Sequence, residues 1–356
     1  MVIKFQYLKS IFPGVVLALI FCLFSQGINN VLAIEIFGTE KSPISTVLIA
    51  ILLGILMGNA FTPRPGMMIG LDFTQQYILK LGIIFLGIRL SFADFIKFGS
   101  VAIPLVIFCI LGVLILIKLL IKKVPISSKM SYLIAIGTSV CGATAIVATA
   151  PVINAKKTEV AYAIANITLF GVIAMLIYPY FAEWYFDNNA LDAGLFLGTS
   201  IHETSQVAAA GLIYDQQFNN PETLDVATVT KLIRNTFLVI LIPLFAFLYN
   251  RGEFKEQKYS ILSIFPYFVL GFIGMIIVRN LGDQFFSIEG DNFYVWSQFI
   301  EYLKILTTVF LTMAMAAVGI SINLSELKSM GYKPFVVGLI AAVTVGIISL
   351  IYIETL

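Results

Sequence analysis

The stretch GTSIHETSQVAAAG, from Gly198 to Gly211, holds the only histidine of the chain, His202. Beside it stand Glu203, Gln206 and four hydroxyls, inside a segment otherwise apolar enough to cross a membrane. GTSVCGATAIVATA, from Gly137 to Ala150, has the same grammar of glycine, two hydroxyls, an apolar residue and a small polar one. Each unpaired polar group in hydrocarbon costs on the order of a few kcal/mol, so both segments must face protein or a water-filled cavity. Glycine and small hydroxyl residues weaken a helix, and breaks are expected at Thr138–Gly142 and Thr199–Glu203. The N-terminus of a half-helix offers free N–H groups and partial positive charge to an anion, and a nearby hydroxyl can both cap it and touch a ligand. Ser139, Cys141 and Thr144 are then expected to line one half of a substrate site. Thr199, Ser200, His202 and Gln206 line the other. Imidazole titrates near neutral pH, and ionisable groups at membrane depth are usually functional, so His202 and Glu203 form the expected coupling pair.

Other chemistries fit these residues less well. Ser200, His202 and Glu203 are near neighbours in sequence and point apart on a helix, so they cannot form a nucleophile–base–orienter chain. One histidine and three cysteines (Cys22, Cys109, Cys141) scattered through apolar segments offer no metal site and no disulfide pattern. No GxxxxGK[ST] occurs, so this chain alone does not drive transport with ATP. No cofactor and no enzymatic activity are expected. No pore loop or charged ring suggests a channel. Arg89 is a candidate for attracting anions toward the cavity. Otherwise Arg89, Lys231 and Arg234 read as interfacial cations whose long stems reach the headgroups. GILMG (Gly54–Gly58) reads as a close helix contact.

The elements that position these groups follow from composition. The chain of 356 residues is 59% hydrophobic and 12% charged, with mean hydropathy +0.97; soluble domains carry about 25% charged residues. Apolar runs of about 20 residues recur, the length that spans a bilayer as helix. The net charge of +2 is scattered, with no basic patch for nucleic acid. The expected fold is therefore an all-α polytopic membrane protein in one integral domain. About eleven spans are expected, near 11–33, 43–60, 75–92, 99–121, 131–151, 158–181, 190–212, 227–249, 260–281, 299–321 and 334–353. Lys4 and Lys9 precede the first span, Lys118, Lys122, Lys123 and Lys129 flank the fourth turn, and Arg251, Lys255 and Lys258 crowd the eighth. The positive-inside rule puts these on the cytoplasmic side, with the N-terminus inside and the C-terminus outside.

The chain also echoes itself. LGIRLSFADF (Leu86–Phe95) matches VGISINLSEL (Val318–Leu327) in character, pairing Gly87 with Gly319, Asp94 with Glu326 and, just beyond, Gly99 with Gly331. An odd offset of spans implies an inverted repeat. The two GTS segments lie an even offset apart, which reflects either one shared chemical task or a miscounted span.

KLGIIFLGIRLSF, GTSVCGATAIVATAPVI, LFLGTSIHETSQVAAAG and FLTMAMAAVGISIN, in this order, resemble the YeiH family of bacterial inner-membrane proteins. The family's name carries a guess of sulfate export. The resemblance spans nearly the whole chain and implies a distant relationship to bile acid sodium symporter and cation–proton antiporter folds. On that template the span at 11–33 precedes inverted repeats of about 43–181 and 190–353, and the crossing broken helices are spans five and ten. Together these readings point to a secondary transporter of a small anion, sulfate or a related oxyanion or organic anion, working by alternating access. Proton coupling is the first reading and sodium coupling the alternative. The expected partners are the anion, the coupling ion and membrane lipid, and a homodimer stays open. The expected location is the bacterial cytoplasmic membrane.

Overall fold

The computed structural model describes residues 2–36, 38, 42, 44–61, 64–120, 127–249, 265–286, 291–323 and 332–356. Most of these are helical, with no strand among them. Among the described residues, eight helices are long and apolar enough to cross a membrane. Three other expected spans coincide with shorter pieces: one apolar helix and two interrupted pairs.

Two compact units divide the chain. The first comprises Met1–Phe95, Gly211–Asp225 and Phe268–Leu324. It holds α1 (Val2–Val31), α2 (Thr46–Ala60), α3 (Pro65–Phe73) and α4 (Leu79–Leu86), the last two joined by a π turn and followed by a 3-10 turn at Gly87–Arg89. Ser45 starts α2 by accepting from the Leu48 N–H at 3.1 Å, and proline opens α3 where its missing N–H is no loss. The second unit comprises Ile96–Ala210, Val226–Tyr267 and Ser325–Leu356. The chain enters it within α5 (Phe92–Leu120) and continues through α6 (Ser128–Ser139), α7 (Ala143–Thr149), α8 (Lys157–Phe186) and α9 (Ala190–Ser200). Helices α10 (Thr204–Phe218), α11 (Pro221–Thr236) and α12 (Leu238–Tyr249) follow. The long helices α13 (Phe268–Phe285) and α14 (Asp291–Ser321) belong to the first unit, and α15 (Tyr332–Ile353) to the second. Each unit therefore takes chain from both expected repeats.

GILMG is a packing element. A Cβ on Gly58 would lie 2.1 Å from the Ile320 carbonyl oxygen, and one on Gly54 would lie 2.6 Å from that of Ala316. Gly319 answers from α14, where a Cβ would meet the Ile51 oxygen at 2.5 Å. These small residues let two backbones touch, the usual basis of helix association in lipid. Gly58→Leu should force α2 and α14 apart and destabilise the first unit by about 1–3 kcal/mol, the usual range for overpacking. A melting temperature in detergent equal to that of the wild type would contradict this contact.

The crossing pair implied by the family template needs correction. Span ten is α14, one unbroken helix of 31 residues. Its glycine in VGISIN serves the close approach to α2 rather than a break. Span five is interrupted at 140–142, as the template implies, and the other interruption lies at 201–203 in span seven, both in the second unit. Gly87, the echo partner of Gly319, also lies against a backbone, that of Phe272, at 2.3 Å from a built Cβ. Glu326, Gly331, Arg251, Lys255 and Lys258 lie outside the described residues.

Candidate functional site

Helix α6 begins on Ser127, whose hydroxyl accepts from the Met130 N–H at 3.1 Å. It ends where the sequence turns to GTSVCG. The Gly142 N–H reaches back to the Gly137 carbonyl at 2.9 Å, and Val140 leaves helical geometry at φ −128°, ψ −92°. Helix α7 resumes at Ala143. The second break has the same construction. Helix α9 is capped by Asn189, which accepts from the Leu191 N–H at 3.1 Å, and runs to Ser200. Ile201 is extended at φ −88°, ψ 140°, and α10 starts at Thr204. Both expected interruptions are present.

Each broken end leaves carbonyls with no helical partner. Two side chains of α11 supply the donors. Lys231 Nζ donates to the carbonyls of Val140 (2.9 Å), Ile201 (3.0 Å) and His202 (2.5 Å). Arg234 donates to Ser139 (2.8 Å), Thr199 (2.5 Å) and Ile201 (3.0 Å), and also to the Thr138 carbonyl. Both side chains are fully buried. In the register of the two GTS segments, Thr138 matches Thr199, and Arg234 takes both carbonyls. Val140 matches Ile201, and Lys231 takes both. Positive charge at helix C-termini is favourable, more so when buried. One pair of cations thus closes both helix ends, and the likeness of the two segments reflects one shared structural task.

The interfacial reading of Lys231 and Arg234 is therefore corrected. The expected span began at 227, but α11 begins at Pro221. Lys231 and Arg234 therefore stand roughly three and three and a half turns into the helix. Arg89, by contrast, lies in the first unit. Its Nε is 2.9 Å from Asp225 Oδ1, its Nη2 is 3.5 Å from Asp215 Oδ2, and Nη2 also donates to the Pro221 carbonyl at 3.1 Å. Two carboxylates thus stand against its guanidinium.

The other expected site residues separate by what their polar atoms already do. Ser139 Oγ, Ser200 Oγ and His202 Nδ1 are buried without a hydrogen-bond partner, and so are Thr138 Oγ1 and Thr230 Oγ1. Thr199 is engaged: its hydroxyl bonds the Leu195 carbonyl at 2.7 Å and Ser349 Oγ at 2.7 Å. Gln206 reaches back to accept from the Glu203 N–H at 3.2 Å, half of a capping box that starts α10. The Glu203 side chain crosses to the first break, where its Cγ lies 2.6 Å and its Oε1 3.2 Å from a Cβ built on Gly142. Cys141 is buried in the first break, whereas Thr144 is exposed. Among the described residues no group of histidine, cysteine and carboxylates could hold a metal ion.

The family model described as "Conserved hypothetical protein 698" matches residues 13–338. The chain belongs to this family. Its curated relatives carry the name UPF0324 membrane protein. One from Streptococcus agalactiae serotype V is 34% identical over 346 residues, covering 96% of this chain and 95% of its own. Another, from Fusobacterium nucleatum, is 33% identical over 323 residues, covering 89% and 91%. A third, from Clostridium tetani, is 27% identical over 364 residues, covering 98% and 99%. This UPF0324 family is the one the four motifs resembled, and its members are membrane proteins by name.

In this UPF0324 chain four residues that sequence reasoning passed over or misplaced sit on α11. Thr230, Lys231, Arg234 and Asn235 are buried, and Asn235 Nδ2 donates to Thr204 Oγ1 at 2.9 Å. The signal was present in TVTKLIRNT: polar residues at i, i+1, i+4 and i+5 mark one helical face. Ionisable residues inside a span face the bundle interior.

Proposed function

We propose that this protein is a secondary transporter of a small anion, such as sulfate or a related oxyanion or organic anion, working by alternating access with proton coupling. It would act in the bacterial cytoplasmic membrane, with the N-terminus inside and the C-terminus outside. The observation that carries this reading is the charge at the two breaks. The C-terminal ends of α6 and α9 and the N-terminal ends of α7 and α10 bring partial charges of opposite sign that roughly cancel. Lys231 and Arg234 then stand against the single carboxylate of Glu203, so a buried anion would meet net positive charge. The unpartnered hydroxyls of Thr138, Ser139, Ser200 and Thr230 supply neutral donors of the kind that orient an oxyanion.

Sodium coupling is less well supported. A sodium site at a helix break uses free backbone carbonyls. Here the carbonyls of Thr138, Ser139, Val140, Thr199, Ile201 and His202 already accept from Lys231 and Arg234. The test is a thermal-shift screen of the purified protein against chloride, sulfate, phosphate and small carboxylates, with and without sodium, at two pH values. An oxyanion or carboxylate should stabilise the protein without sodium. The Ser139→Ala, Ser200→Ala double variant should weaken that effect by about tenfold, the loss of one or two hydrogen bonds to a charged ligand. His202→Gln should flatten its pH dependence. Stabilisation by no anion, or only in the presence of sodium, would refute the reading.

A further inference from the structure

We propose that the Lys231 ammonium is a proton-binding site whose deprotonation releases the tie between the two helix breaks. The inference takes its place in a transport cycle from the reading above, but its chemistry rests on the geometry of α11 alone.

An ammonium has three N–H donors and no acceptor. Lys231 uses three, one to the first break at Val140 and two to the second at Ile201 and His202. A neutral amine keeps two N–H groups and gains a lone pair. When the proton leaves, one N–H bond breaks, its electron pair stays on Nζ, and the proton passes to water. At least one of the three carbonyls then loses its donor and faces a lone pair instead. The backbone at that carbonyl must move or find water. Arg234 cannot serve this way, because a guanidinium stays charged in proteins.

The division of labour between the two cations localises the consequence. Arg234 holds the ends of α6 and α9 through Thr138, Ser139 and Thr199. Lys231 alone holds Val140 and His202, the residues that lead out of those ends toward α7 and α10. Losing its proton should loosen 140–142 and 201–203 while leaving the helix ends joined. The charged and titratable groups around it are Arg234 on its own helix, Cys141 from the first break, and His202 and Glu203 from the second. Cys109 of α5 faces Arg234. His202 and Glu203 were the expected coupling pair. The proposal gives the conformational step to a different residue.

The experiment is amide hydrogen exchange on the purified full-length protein in detergent, read by mass spectrometry on peptides covering 140–145 and 201–207. Labelling times are scaled for the intrinsic pH dependence of exchange. The wild type should exchange in these peptides about tenfold faster at alkaline than at mildly acidic pH, the factor expected for losing a charged hydrogen bond. Lys231→Arg should remove this response, because its charge is permanent. His202→Gln should keep it. Lys231→Met should exchange fast at both pH values. Unchanged protection in the wild type, or an equal pH response in Lys231→Arg, would overturn the proposal. Should Lys231→Arg fail to fold, the wild type at alkaline pH must approach Lys231→Met; full protection there overturns the proposal equally. The exchange measurement needs no bound anion, so it can fail or succeed independently of the transport reading.

Discussion

Arg234→Met should cost the second unit on the order of 3–5 kcal/mol, the range found when a buried charge is taken from its partners. The four carbonyls that Arg234 serves come from two chain segments some sixty residues apart in sequence. Ile201 would still have Lys231, but Thr138, Ser139 and Thr199 would be left buried without a donor. Each such orphan costs roughly 1–3 kcal/mol, and removing the guanidinium's own desolvation offsets only part of the sum. Arg234→Lys should fall between wild type and Arg234→Met, since a compact ammonium cannot span what a planar fork spans. The measurement is thermal unfolding of each purified variant, with monodispersity on size exclusion as the control for folding. An Arg234→Met protein that melts within a degree or two of the wild type would mean that the cation holds neither break.

Much of the site was legible because lipid makes polar residues conspicuous. Glycine followed by two hydroxyls in the middle of an apolar run marked both interruptions, and the structure places a non-helical residue inside each. What the polar residues do there was harder to read. Gln206 looked like a ligand group and serves as a helix cap; Thr199 looked free and bonds back to its own helix and to Ser349. Short-range hydrogen bonds compete for such side chains, and only coordinates reveal which competitor wins. The larger omission was α11. Placing the span from its apolar end put Lys231 and Arg234 at the headgroups. The helix instead starts at a proline six residues earlier. Hydropathy follows lipid contact, and a helix buried inside protein carries little of that signal. The same limit applies to GISIN, where glycine serves helix contact rather than a break. Which partner a small residue meets depends on the neighbouring helix, and no single sequence carries that information.

Gly142→Ala should strike both breaks at once. Gly142 has φ +66° and ψ −124°, a conformation open to glycine and strained for any residue with a Cβ, at about 1–3 kcal/mol. The added methyl would also lie 2.6 Å from Glu203 Cγ and 3.2 Å from Ile167 Cγ2. Glu203 occupies the position in the second break that Gly142 occupies in the first, so the two breaks meet at matching places. Gly142→Ala should therefore lower stability by roughly 2–5 kcal/mol, strain and overpacking together. Adding Glu203→Ala separates the two causes: the clash is relieved and the backbone strain remains. In a double-mutant cycle the pair should be less damaging than the sum of the single variants by about 1 kcal/mol or more, as residues in contact usually are. Strict additivity of the melting free energies would show that Gly142 is needed for its backbone alone, and that Glu203 does not press on the first break.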